Sequence, residues 1–125
     1  VEGSTGPVLL DAAVGIKASL RRAAEQGFEA GEMEIAAPEE RKLVLALDGF
    51  ALALRLAREK RMPHYVCEHI YGLAQAFSAF YAACPILKDE IAPTIRASRL
   101  ALCETVLHQL EAGLDIIGIT APERM

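Results

Sequence analysis

Residues 64–85 read HYVCEHIYGLAQAFSAFYAACP. Within them Val66, Ile70, Leu73, Phe77 and Phe80 recur at intervals of three and four. That spacing lines one face of an α-helix, whereas a strand would alternate apolar and polar side chains. Pro63 suits the opening of the segment, because the N–H it lacks would be unbonded there anyway. Cys84–Pro85 closes it, since the residue before a proline disfavours helical backbone.

The same period extends in both directions. Upstream, Leu43, Leu47, Phe50, Leu54 and Ala57 form a stripe on a helix opening at Pro38. Glu39 and Glu40 suit its N-terminal dipole. Gly49 is its weak point, costing about 1 kcal/mol relative to Ala. Before it, "GFEAGEMEIAAPEE" reads as a connection, taken as residues 28–38. The first helix follows "GSTGP", with Ser4 or Thr5 as cap, and carries Leu9, Leu10, Ala13, Ile16, Ala18 and Leu20 towards Gly27. Downstream, a fourth helix starts near Pro93 and keeps an apolar face from Ile95 to Ile117, with a break possible at Gly113 and an end at Gly118. No alternating segment and no repeat interrupts this pattern. The expectation is one all-α domain over 1–125: an antiparallel bundle of about four helices with a short C-terminal tail.

Composition narrows the function. With 53% hydrophobic and 24% charged residues the chain is globular, not disordered. Cys67, Cys84 and Cys103 are too few and too widely spaced for a disulfide framework or a zinc site, and read as buried reduced thiols of a cytoplasmic protein. No apolar run reaches the roughly 20 residues of a membrane span. The chain starts at Val1, so a piece of a longer protein is expected. A net charge of −4 opposes non-specific nucleic-acid binding, yet Arg55, Arg58, Lys60 and Arg61 fall within seven residues. "GSTGP" lacks the lysine of a phosphate loop, and neither GxSxG nor HExxH occurs. His64 and His69 do not share a helix face, and Cys67–Glu68–His69 point in different directions, so no metal is expected. His69 reads as exposed, His64 as capping or solvated.

Residues 64–87 resemble the C-terminal anticodon-binding domain of arginyl-tRNA synthetases. Pro63, His64, Tyr71, Leu73, Ala74, Ala76, Phe77, Ser78, Phe80, Tyr81, Cys84 and Leu87 carry the likeness. "RASRLALCETVLHQLEAGLDIIGITAPERM" looks like the family's last helix and closing residues, and "EGSTGP" with "IKASLRRA" like its lead-in, residues 1–6, from a catalytic body. The resemblance implies a tRNA-binding module without cofactor. In the family, arginine is joined to tRNA with ATP and magnesium by an upstream domain bearing HIGH and KMSKS-like motifs, which this chain lacks. It departs from the family at Val8, Asp11, Ala13 and Gly15 on the first helix, where aromatics and an Arg are usual and the catalytic body is met.

By the same resemblance the RNA-binding surface combines the end of the third helix, the start of the fourth and the tail. Tyr81 is expected to stack on bases or to cap the core with its hydroxyl in water. Arg96 and Arg99 meet phosphates or base edges, or are solvated. Ser78 and His64 complete the set, with Arg124 and Met125 closing the site. In the tail, Ile116, Ile117 and Ile119 anchor the last turn, Gly118 allows a reversal and Pro122 stiffens the final residues. The Arg55–Arg61 cluster is a solvated helix end or a contact to the tRNA backbone. The expected partners are an arginine tRNA and the catalytic domain of the same protein, with the chain itself monomeric. The alternative is a non-catalytic protein-interaction or resurfaced scaffold domain derived from the same fold.

Overall fold

The computed structural model describes the backbone of residues 2–120 and the side chains of residues 6–118. Five helical segments follow one another: α1 (Glu2–Glu25), α2 (Pro38–Asp48), α3 (Phe50–Lys60), α4 (His64–Ala83) and α5 (Pro93–Thr120). No strand occurs among the described residues. The architecture is the helical bundle that the periodicity predicts. α2 and α3 are the two halves of the expected second helix, parted at Gly49.

α4 is the central element and packs against all four others; α1 also packs on α5. Its stripe residues Val66, Ile70, Leu73, Phe77 and Phe80 are all buried. They meet Leu9, Ile16 and Ala23 of α1, Leu43 and Leu47 of α2, and Leu100, Cys103, Val106 and Leu110 of α5. α5 also buries Leu102, because it is covered by α1, α4 and α2 and so must be apolar on more than one face. α3 differs: of its eleven residues only Ala53 is buried.

α1 ends where the sequence says it should. Gly27 has φ 82°, and the Phe28 N–H reaches back to the Ala23 carbonyl at 2.9 Å, which closes the helix in a left-handed cap. α1 starts earlier than expected, at Glu2, so Pro7 lies inside it. The proposed caps Ser4 and Thr5 lie outside the described side chains.

α5 runs unbroken through Gly113 and Gly118 to Thr120, so neither glycine ends it. The reason at Gly113 is packing: a Cβ there would stand 2.5 Å from Cγ2 of Ile70. The glycine lets α5 approach α4 closely. Gly15 is the opposite case, with nothing within 4 Å of such a Cβ. Gly15→Ala is therefore expected to stabilise the domain by about 0.5–1 kcal/mol through helix propensity. Gly113→Ala is expected to destabilise it by about 1–3 kcal/mol despite the same propensity gain, because a β-branched neighbour must move. Thermal melts of the two variants check this; equal shifts would contradict the close approach.

The cysteines are free. Cys84 and Cys103 are buried, and burial holds both thiols above their usual range, Cys103 at about 12. Cys67 is only half-buried, contrary to the expectation for all three, because position 67 lies off the apolar stripe.

Candidate nucleic-acid interface

The expected surface joined three pieces: the Tyr81 end of α4, the start of α5 and the C-terminal tail. The bundle separates them. α5 runs antiparallel to α4, so Gly113 sits on Ile70 and Val66, and Ile116 shares a groove with Val66 and Pro63. α5 therefore finishes beside the start of α4. Tyr81 is 17 residues further along that helix, about 25 Å away at 1.5 Å per residue. Arg124 and Met125, with Ile119 and Pro122, lie outside the described side chains.

Arg96 and Arg99 stand at the Tyr81 end, and both are engaged by the fold. Arg96 is buried. Its Nε donates to the Ile86 carbonyl at 2.8 Å and an Nη to the Lys88 carbonyl at 2.6 Å, while its guanidinium lies 4.1 Å from the centre of the Phe28 ring. Arg99 donates to the Pro85 carbonyl at 2.6 Å and to Oε2 of Glu40 at 2.7 Å. The two arginines clamp the α4–α5 connection. Neither presents an open guanidinium to a ligand.

Glu40 is the hub of that clamp and is fully buried. Its Oε1 accepts the N–H groups of Ala36 at 2.6 Å and Ala37 at 3.1 Å. This is half of a capping box: Glu40 reaches back to the N-cap, and Ala37 has no side-chain acceptor to return the bond. Burial alone would raise the Glu40 pKa. The Ala36 N–H, Arg99 and the Ala37 N–H outweigh it and hold the carboxyl below its usual range. Next to it, Ser98 pins the connection by accepting from Glu34 N–H at 2.8 Å and donating to its carbonyl at 3.1 Å. Residues 28–36 are thus a tied connection laid over the start of α5.

Tyr81 is 45% exposed; its ring stacks on Phe77, and its hydroxyl sits 3.0 Å from the Ser19 hydroxyl. With Ser78 it lines a shallow groove against α1, shared with Asp11, Gly15 and Arg22. This face also exposes Val8, which lines an adjoining groove with Ser78. Phe77 and Phe80 are core, as their place on the stripe requires.

The other end of the bundle sets a cationic cluster beside an apolar groove. His64 is exposed and stacks on Tyr65, with ring centres 4.2 Å apart. Beside it a groove of about 640 Å³ is lined by Leu54, Ala57, Val66 and Ile116, and by Arg58, Arg61 and Met62. Four cations stand against the single Glu59 between residues 55 and 61. The two ion pairs among the described residues are Lys17–Glu111 and Arg99–Glu40, so none of these four is paired with a carboxylate of the described residues. Arg61 has φ 57° and ψ 39°, the only non-glycine at positive φ among the described residues. It occupies the helix-ending position where glycine is usual, at a cost of about 1 kcal/mol. The sequence shows the cluster but not this strain.

His69, expected to be exposed, is half-buried. Its Nε2 is 2.9 Å from Oε1 of Gln109, and its ring stacks on Phe50 at 5.2 Å. Among the described residues no three His, Cys, Asp or Glu side chains converge to hold a metal ion, and no helix is long and apolar enough to cross a membrane.

Residues 9–125 match the profile of the DALR anticodon binding domain. Over 124 residues, 99% of this chain, the sequence is 60% identical to the arginine–tRNA ligase of Hyphomonas neptunium and 54% identical to that of Maricaulis maris. It is 42% identical to that of Frankia casuarinae. In each case it spans 21% of the relative's length. Identity carried across the whole chain does not favour the resurfaced-scaffold alternative.

Proposed function

The chain belongs to the DALR anticodon-binding domain family, and on that premise we propose that its α3–α4 groove holds the anticodon loop of an arginine tRNA. One observation carries the location: Arg58 and Arg61, in no ion pair among the described residues, line one apolar groove beside the exposed His64 ring. Unpaired loop bases are recognised by stacking on rings and by cations on phosphate, and both are present there. His64 is the stacking face, Met62 an adaptable apolar contact, and Arg58 and Arg61 the phosphate contacts. Arg124 and Met125, which follow Thr120 in the sequence, are assigned to the same site.

Tyr81 and Ser78 then belong to a second surface. Their face, with Val8 beside Ser78 exposed at 45%, suits contact with the catalytic part of the same protein. Arginine activation with ATP and magnesium is assigned to that part, and this chain, a cytoplasmic monomeric module when separated, performs no catalysis itself.

The test is titration of the chain with an arginine-tRNA anticodon stem-loop and with an anticodon-swapped copy, at two salt concentrations. Preferential binding is expected, falling by about 0.7 log units per log unit of salt for each phosphate contacted. Equal, salt-insensitive binding of both hairpins would defeat the reading.

A further inference from the structure

The break between α2 and α3 is held by a side chain from elsewhere. Gln109 of α5 donates from Nε2 to the Leu47 carbonyl at 3.0 Å. In an unbroken helix that carbonyl would accept the N–H of residue 51. Since the Gln109 nitrogen donates to Leu47, its oxygen must accept, so His69 carries its proton on Nε2. The His69 ring in turn stacks on Phe50, the first residue of α3. A three-part clamp from α4 and α5 thus grips both sides of Gly49.

α3 has little else to fix it, with Ala53 as its one buried side chain. Yet it carries Arg55, Arg58 and Lys60 and leads into Arg61. We propose that Gln109, backed by His69, is a positioning residue for RNA binding: by occupying the Leu47 carbonyl it keeps the helix broken and so aims Arg58 of α3, and Arg61 just beyond it, at the groove. The inference rests on the α3–α4 groove being the RNA site.

The decisive variants are Gln109→Leu, which removes the donor and the acceptor, and Gln109→Glu, which keeps only the acceptor to His69. Two readouts are taken on the whole chain: amide hydrogen exchange at residues 50–52, and salt-dependent affinity for the arginine-tRNA stem-loop. The first N–H groups of a helix lack intrahelical acceptors, so these amides are expected to exchange readily in the parent chain. Both variants should slow exchange at Ala51 as it takes over the Leu47 carbonyl. Both should also lower affinity about tenfold and reduce the salt slope by roughly one phosphate contact, with the helical signal kept. A purely structural role would lower the melting temperature without moving the salt slope. Unchanged exchange, or changed exchange with an unchanged slope, overturns the positioning role while the groove stands. A parent chain that does not bind the stem-loop overturns the groove, and the positioning role with it.

Discussion

Replacing Glu40 by alanine is expected to cost about 3–5 kcal/mol, the largest effect of any single substitution of a polar residue in this domain. The substitution leaves the Arg99 guanidinium facing an empty, water-poor site, and it strands the N–H groups of Ala36 and Ala37. Against a typical domain stability of about 5–15 kcal/mol, the melting temperature should fall by roughly 10–20 °C. Glu40→Gln keeps an acceptor for the backbone and should lose less. The pH dependence has a defined sign. The folded-state pKa of Glu40 lies below its ordinary value of 4.5, so the unfolded chain takes up the proton more readily. The stabilisation is complete above about pH 4.5 and is lost as the pH falls through the folded-state pKa. Melting curves between pH 3 and 7 check this: the gap between parent and Glu40→Ala should narrow at the acid end. A gap independent of pH would mean that the carboxylate charge is not what holds the clamp.

The second large effect is on binding. Arg58→Glu combined with Arg61→Glu should leave the fold intact, because neither side chain makes a hydrogen bond or ion pair among the described residues, and should weaken RNA binding roughly a hundredfold. Two lost charge-assisted contacts of about 1.5 kcal/mol each give that factor. The salt slope should fall by about 1.4, twice the value for one phosphate on a single strand. Arg61→Gly separates function from folding more sharply. Glycine relieves the left-handed backbone, so stability should hold or rise by about 1 kcal/mol while affinity still falls. A stable variant that binds as tightly as the parent would remove Arg61 from the interface.

The bundle was legible in the sequence because each helix buries a stripe, and stripes are a one-dimensional signal. Val66 to Phe80 shows the case at its clearest. The site was less legible, since it depends on which helix ends meet. Tyr81 stands near the end of α4 and Arg96 and Arg99 near the start of α5, yet the antiparallel return of α5 carries its far end to His64. Arg96 and Arg99 look like surface cations because hydropathy cannot show a guanidinium buried against carbonyls. Glu40, the partner of Arg99, left a trace, at the third position of a helix opening on Pro38, where a carboxylate can reach back to the cap. Gly113 and Gly49 look alike in sequence. Only packing tells the glycine that admits a close helix from the one at a break, and Gln109, which holds the break, has no local signal at all.

The most direct test of the account is a footprint of the arginine-tRNA stem-loop on the isotope-labelled chain, read from amide and side-chain NMR shifts. The predicted result is perturbation of Arg58, Arg61, Met62, His64 and Ile116, with Tyr81, Ser78, Arg96 and Arg99 unmoved. Perturbation centred on Tyr81 and the start of α5, with the α3–α4 groove silent, would contradict it.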